Sequence, residues 1–569
     1  MRRIGILGGG PSGLFVFKRL IESGEKDFHI EIFERKKQLG SGMPYSNEGA
    51  TDEHVTNVSG NEIPGLGSSL VEWIKTLEPH TLKRFQIEKT KFNSFKVIPR
   101  LLLGQYLEDQ FRLLKIRAID QGISTKFHLG IKVTDIIDQP TTNTVLIESD
   151  KQILSEFDFV VISTGHNWPI NFEGVIPQYF DSPYPPSKLE LGINYPVAIR
   201  GSSLTAIDAI RTLARSNGSF TKKDNEKVSY TASADRKNFK IVMHSRSGLL
   251  PAVRFHLEDS HLGKDSVLSN EDIHSTRSQN EGFLPLDYVF EKSFKESIKE
   301  NDREFYERIK DMDIEEFVAA MMSLRERVSP FDLFKAEYVE AEKSIRRKKS
   351  IYWKEALAML SFAMNYPAKY FSAEDMLRLQ NILMPLISIV IAFVPQTSVE
   401  ELLALHEAGV LNIIAVGDDS YVVPQTHGGV VYNYLDEAGS HQAVYYKMYV
   451  DCVGQPHLQE KDIPFKSLVK DKTVSSAKLK FRDRKTGLHE MTKDNKKIIK
   501  DAEGNYYMKV AGIAINDNFQ VLDEYGSYNN RLFMMAVPYI GGHNPDYSGL
   551  DFCEAASGRI VETILNSSQ

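Results

Sequence analysis

Apolar positions open the chain as a short run, Ile4 to Leu7, that stops at Gly8-Gly9-Gly10-Pro11-Ser12-Gly13. Leu14, Phe17, Leu20 and Ile21 then recur at helical spacing, Gly24 supplies a stop, and His29 to Glu34 is strand-like. This predicts a strand-helix-strand unit. A second run, Pro196 to Arg200, enters Gly201-Ser202-Ser203-Leu204-Thr205-Ala206, followed by a helix pattern at Leu204, Ile207, Ile210 and Leu213 and a strand from Phe239 to Met243. Residues 217–238, between that helix and strand, are polar without a period and predict a surface loop. From Leu284 to Leu383 the pattern turns to helix after helix, dense in Glu and Lys. Strand-helix-strand alternation resumes with Ile389 to Val394, Val399 to Glu407 and Val410 to Val416, and the basic stretch Lys466 to Lys500 reads as a loop or hairpin excursion at the periphery.

The glycines carry chemistry. Gly8, Gly10 and Gly13 match G-x-G-x-x-G between a strand and a helix, with Glu34 at the end of the following strand. The first glycine permits a tight turn, the second lets a pyrophosphate approach the backbone, and the third lets helix and strand pack closely. The helix N-terminus, Pro11 and Ser12 included, offers unpaired N–H groups to an anion, and Glu34, followed by Arg35, is placed to accept from ribose hydroxyls. The second copy is degraded: Ser203 and Ala206 replace glycines, while Gly201, Ser202 and Thr205 keep the backbone approachable. Its next strand ends in His244-Ser245-Arg246, and an arginine there suits a 2′-phosphate, which points to NADPH with NADH as the alternative.

These units predict an α/β fold with two Rossmann-like dinucleotide-binding domains and an α-helical insertion. The FAD-type domain takes residues 1–170 and 505–569, and the NAD(P)H domain takes 190–283 and 384–456. The helical insertion covers 284–383 and the peripheral excursion 457–504.

Composition removes other classes. Across 569 residues, 42% are hydrophobic and 25% charged, the balance of a folded globular protein. A net charge of −7 advertises neither nucleic acid nor an anionic membrane as partner. The longest apolar run, Ile382 to Val394, is interrupted by Pro385 and Ser388 and is shorter than the roughly 18 to 20 residues that cross a bilayer. Two cysteines, Cys452 and Cys553, exclude a disulfide framework and a Cys-x-x-Cys pair, which suits a cytoplasmic protein. No metal site is expected.

Further motifs bring a resemblance. Phe157 to Gly165, an Asp, an apolar strand and Ser-Thr-Gly before His166, resembles the segment of two-domain flavoproteins where the FAD domain hands over to the NAD(P)H domain. Tyr449-Val450-Asp451-Cys452-Val453-Gly454 resembles the return segment. The Gly40-Ser41-Gly42 loop with Tyr45, and His54-Val55-Thr56-Asn57, resemble FAD-dependent urate hydroxylase-like proteins and, more distantly, flavin-containing and N-hydroxylating monooxygenases. Gln178 stands where the flavin-containing monooxygenases carry a histidine after Phe172-Glu173-Gly174, so the chain is set apart from that branch. The resemblance implies that Gly42, Thr164, Gly165, Gly454, Gly541, Gly542 and Gly549 line the cofactors, with His54, Asn57, His166 and His543 as candidates for catalysis.

The implied function is an FAD-dependent, NAD(P)H-using monooxygenase that oxygenates a small organic substrate through a flavin C4a-(hydro)peroxide. Two alternatives stay open: a flavin dehydrogenase or oxidase acting on an amine or hydroxyl substrate, and a non-catalytic flavin-binding protein. The sequence names neither substrate nor oligomeric state.

Overall fold

A computed structural model describes residues 1–151, 154–222, 227–257, 268–455, 458–493, 496–545 and 549–567. Pro456 of the return segment and residues 546–548 of the C-terminal turn lie outside the described residues.

Two parallel sheets organise the chain. The first runs Gln520–Leu522, Tyr528–Met534, Phe159–Ile162, Arg2–Leu7, Phe28–Glu34, Ser124–Leu129, parallel except for its first, antiparallel edge strand. The second runs Tyr179–Phe180, Met448–Asp451, Pro196–Arg200, Lys240–Ser245, Leu411–Ala415, parallel throughout. Both repeat one plan. In each, the strand before the glycine loop (Arg2–Leu7, Pro196–Arg200) lies between the next strand of the chain (Phe28–Glu34, Lys240–Ser245) and a later one (Phe159–Ile162, Met448–Asp451), and a three-stranded antiparallel sheet joins the outer strand Ser124–Leu129 or Leu411–Ala415 to that later strand. In the first unit that small sheet is Val133–Gln139, Thr144–Ser149, Leu154–Phe157; in the second it is Tyr421–Pro424, Val430–Leu435, His441–Tyr446.

Helices cover the parallel sheets because their strands are apolar on both faces. The helix Pro11–Glu22 buries Leu14, Phe17, Leu20 and Ile21 completely, and proline at its first turn sacrifices only an N–H without an intrahelical partner. The helix Leu204–Asn217 buries Ile207, Ile210 and Leu213 in the corresponding place.

The helical segment occupies the crossover between Lys240–Ser245 and Leu411–Ala415 of the second sheet, from Asn270–Gln279 to Met384–Val390. Its core gathers Phe290, Phe294, Phe317, Leu357, Leu360 and Leu383.

Three expectations change. The apolar segment Ile389 to Val394 is not a strand: the helix Met384–Val390 runs into it, and Val394 makes a single parallel bridge to Val253. The Lys466 to Lys500 stretch is not peripheral. It forms the strands Ser476–Lys480 and Ile498–Lys500 around the helix Arg484–Thr492, pairs with Tyr506–Ile513, and buries Leu479, Phe481 and Ile498 in the helical core. Leu468 and Val474 of the same stretch are buried in the core of the first sheet, while Leu488 and Met491 stay exposed. Residues 217–238 hold a hairpin, Gly218–Thr221 with Ser229–Ala232, anchored where the Tyr230 hydroxyl donates to the Ala214 carbonyl at 2.9 Å.

Candidate functional site

The first glycine loop is built by close approach. Gly8 adopts φ +109°, its N–H donates to Phe33 O at 2.9 Å, and a Cβ there would lie 2.5 Å from Ser163 O. A Cβ on Gly13 would lie 2.0 Å from Gly8 O, and one on Gly10 would lie 3.1 Å from the Cα of Gly42. Only glycine fits at positions 8 and 13. No side chain caps the helix Pro11–Glu22, so its first-turn N–H groups remain for an anion.

The Glu34 carboxylate accepts from Gly9 N–H at 2.7 Å and Lys36 N–H at 2.9 Å, which stitches the loop to the second strand. A carboxylate has about four lone-pair sites, so this use still leaves acceptors for a ribose. Arg35 is exposed and pairs with Glu48 at 3.2 Å. Lys36, which no sequence pattern marked, donates to Gly42 O and Ser46 Oγ, each at 3.1 Å, and pins the neighbouring loop. Ser12 Oγ lies 3.5 Å from Cys553 Sγ, setting the C-terminal helix Gly549–Asn566 against the start of the first. Gly549 opens that helix with φ +80°, and Gly542 packs so tightly that a Cβ would lie 2.2 Å from Ala511 O, next to Gly541.

The second loop repeats the first. Gly201 has φ +108°, donates to His244 O at 2.8 Å, and would place a Cβ 2.8 Å from Cys452 O. His244 thus stands where Phe33 stands, and Ser245 and Arg246 take the places of Glu34 and Arg35. The Ser245 hydroxyl is buried with no hydrogen-bond partner among the described residues. Arg246 is largely exposed, its nearest carboxylate Asp418 at 3.5 Å. Ser203 caps nothing at the head of the helix Leu204–Asn217, and Ser202 Oγ is committed to Leu249 O at 2.8 Å. A Cβ on Gly454 would lie 4.0 Å from Thr205 Oγ1, so the return segment passes over this loop.

The four histidine and asparagine candidates separate. His54 is fully buried at the seam between the two sheets: Nδ1 accepts from Thr51 N–H at 3.1 Å, and Nε2 reaches Asp208 O and Thr212 Oγ1, each at 3.2 Å. Both ring nitrogens are taken, leaving none for a flavin. Arg100 grips Asp208 with two bonds of 2.6 and 3.0 Å, and Tyr184 OH adds a third of 2.8 Å. Burial alone would raise the Asp208 carboxyl, but Arg100, with help from His54 and Tyr184, holds it below the ordinary range. Asn57 gives its main-chain oxygen to the buried Arg254 guanidinium, which also binds Ser59 Oγ at 2.8 Å and the Glu62 carboxylate. His54 and Asn57 therefore mark the domain seam, and Arg100, Asp208 and Arg254 complete it without any local sequence signal.

His166 and His543 stand elsewhere. His166 follows Thr164 and Gly165 beyond the strand Phe159–Ile162, and its Nδ1 has no partner among the described residues. Burial lowers its pKa, opposed by Gln455. Asn167 and Gln455 exchange bonds of 2.9 and 2.7 Å that zip the two crossing segments together. His543, just beyond the strand Tyr528–Met534, is buried, and neither ring nitrogen closes a hydrogen bond among the described residues. Burial first, then the Lys369 ammonium, push it down to about 3, while the Ile515 main chain opposes them.

The loops after Leu7, Ile162 and Met534 leave the carboxyl ends of three adjacent parallel strands, the edge at which open α/β sheets bind ligands. The glycine cradle, the uncapped helix start and the orphaned imidazoles fit a flavin dinucleotide there. Residues 5–167 match the FAD-NAD(P)-binding family, and residues 269–391 match the YdhS-like middle domain. The YdhS protein of Escherichia coli (strain K12) is 31% identical over 480 residues, spanning 82% of this chain and 86% of that protein.

The chain belongs to the YdhS family. Similar solved structures include the ornithine N-hydroxylase of Kutzneria sp. 744, at 11% identity and TM-score 0.46 over 100% of both chains. The cadaverine monooxygenase of Erwinia amylovora is also 11% identical with TM-score 0.46, over 99% of this chain and 94% of that one. The cofactors expected from the glycine loops, FAD and NAD(P)H, agree with the family match, and the YdhS-like middle domain is the helical segment inserted in the second unit. A groove of about 580 Å³ in that domain, beside Phe305, Ile351 and Trp353, shares no residue with either glycine loop. Among the described residues no helix is long and apolar enough to cross a membrane.

Proposed function

We propose that this YdhS-family chain is an FAD-dependent, NAD(P)H-using monooxygenase acting on a small organic substrate. The duplicated loop carries the reading: Gly8 and Gly201 head two parallel sheets of one plan, one with a carboxylate at the ribose position and the other with Ser245-Arg246. When bound, flavin and nicotinamide supply the hydride and oxygen chemistry. The chain's own residues bind, orient and exclude water. The uncapped helix start at Pro11 to Gly13 receives the pyrophosphate, and Glu34 the ribose. Ser245 and Arg246 receive the 2′-phosphate of NADPH.

His166 and His543, neutral and with unpartnered nitrogens, are the groups placed to hold or move a proton. Cys452, just past the strand Met448–Asp451, and Cys553, in the helix Gly549–Asn566, are free and buried, so no dithiol is offered as electron acceptor among the described residues. An organic substrate and O₂ are then the natural acceptors, and the resemblance to urate hydroxylase-like proteins supports oxygenation. A dehydrogenase or oxidase is the second reading, favoured by the commitment of Ser202 to Leu249 within the weakened second loop.

The test is the visible flavin band of the purified protein, followed anaerobically with NADPH and then NADH. Bleaching by NADPH, with H₂O₂ released when air is readmitted, is expected. A flavin that stays oxidised with both nicotinamides, with and without a substrate panel, overturns the monooxygenase reading.

A further inference from the structure

The middle domain reaches the flavin-binding unit through the turn Pro367–Tyr370, which lands on the loop before Gln520–Leu522 and on the C-terminal helix. The Lys369 ammonium, its side chain 8% exposed, sits 2.5 Å from the Asp517 carboxylate, whose own side chain is 41% exposed. Tyr370 OH donates to the same carboxylate at 3.0 Å. Two guanidiniums flank the pair: Arg277 lies 3.8 Å above the Tyr370 ring, and Arg559 lies 3.6 Å above the Tyr366 ring. The charges acting on Lys369 are those of Asp517, Arg559 and Arg277. Lys369 and Arg559 both act on the Asp517 carboxylate, and Arg277 stands over the ring of its other partner, Tyr370, in a chain whose net charge is −7. Such a local excess focuses anions against the repulsion of the whole.

The donors are also undersubscribed. Among the described residues Arg559 spends one N–H on Asp517 O at 3.3 Å, and Arg277 spends Nε on Gly282 O at 3.0 Å, whereas each guanidinium carries five N–H groups in a planar fork. Both arginines are only partly buried. His543 feels the Lys369 charge and the Ile515 main chain, and neither buried ring nitrogen closes a hydrogen bond among the described residues. A buried imidazole without a hydrogen-bond partner, within the field of a cationic cluster, has the composition of a site that lacks its ligand.

We infer that this seam binds a carboxylate-bearing small molecule, its anionic head held by the Arg277 and Arg559 forks above Lys369 and its body directed toward His543. The substrate of the proposed oxygenation is then an organic acid, an inference that rests on the flavin reading. Guanidinium forks match the two oxygens of a carboxylate, which favours that head group over a neutral amide.

The experiment titrates the FAD-loaded protein with acetate, benzoate and glutarate, each against its amide, by flavin difference spectrum and in parallel by calorimetry. At least one acid should bind saturably and about tenfold or more tighter than its amide. Arg559→Gln and Arg277→Gln, on different helices, should each weaken that acid about tenfold while FAD content and melting temperature hold, and Arg559→Lys should weaken it less. Acid and amide binding equally, no saturable binding by any acid, or folded arginine variants with unchanged affinity would overturn the inference. Competition by inorganic phosphate as strong as by the acid would also overturn it, marking a general anion site. A protein that purifies without FAD and takes none up defeats the flavin reading instead, and calorimetry then still decides the seam.

Discussion

Gly8 and Gly201 are the same residue of one turn, used twice: φ is +109° in the first and +108° in the second, and each faces a carbonyl of the crossing segment, Ser163 O and Cys452 O. Their roles can therefore be separated by substitution. Left-handed backbone alone costs a non-glycine residue about 1 to 3 kcal/mol, and the carbonyl collision adds to it. Gly8→Ala should purify with little or no FAD. Gly201→Ala should keep its FAD and lose about tenfold or more in NADPH affinity, read by the concentration dependence of flavin reduction. Loss of FAD from the Gly201 variant alone would show that the loops have been assigned the wrong way round.

Ser245 occupies the position of Glu34, with Arg246 beside it. Charge-assisted hydrogen bonds contribute about 1.5 to 3 kcal/mol, so Arg246→Ala should lower the NADPH over NADH preference by roughly ten- to a hundredfold. Ser245→Asp should move preference toward NADH by repelling the 2′-phosphate. Comparing kcat/KM for the two nicotinamides decides it, and unchanged ratios in both variants would remove these residues from the site.

The Arg100–Asp208 pair is a buried tie between the two units, not a surface ornament. Removing one partner leaves the other charge uncompensated, and Asp208→Ala should cost about 3 to 5 kcal/mol in denaturant unfolding. His54→Ala should likewise lower stability, with the rate of flavin reduction little changed under native conditions. A His54 variant of normal stability but slow reduction would return that residue to the chemistry.

Two buried histidines should make the protein acid-sensitive earlier than its carboxylates do. Burial lowers His543 to about 3 and His244 to about 4, while an unfolded histidine titrates near 6.5. Below about pH 6.5 the unfolded chain therefore binds more protons than the folded one, and stability falls as pH drops toward the folded values. Each histidine should remove about 2 to 3 kcal/mol by roughly pH 4.5. His244 stacks on Tyr432 at 4.1 Å much as Phe33 stacks on His128 at 4.3 Å, so His244→Phe should fold and flatten this loss. Thermal unfolding between pH 7 and 4.5 measures it, and an unchanged slope in the variant would refute the assignment.

Local signals made the two glycine loops legible. A tight turn, a close helix approach and a strand-ending acid or arginine each demand a residue type within a short span, so Gly8, Gly13, Glu34, Gly201 and Arg246 stood out by spacing. The helical segment was visible by its period. The Ile389 to Val394 segment misled because a short apolar run buries equally well as helix or strand, and the helix Met384–Val390 took its first two residues. Lys466 to Lys500 misled because its apolar residues are few, although most of them are buried in cores supplied from elsewhere in the chain.

By itself the sequence determined the two dinucleotide-binding units, because their turns are governed by backbone sterics that only particular residues satisfy. Tertiary structure alone decided what the polar side chains do. His54 met Asp208, Arg254 met Glu62, and Lys369 met Asp517 across 154, 192 and 148 positions of chain, respectively. A charge can be paired, buried or left facing a ligand with the same neighbours in sequence, and only the partner brought through space determines which.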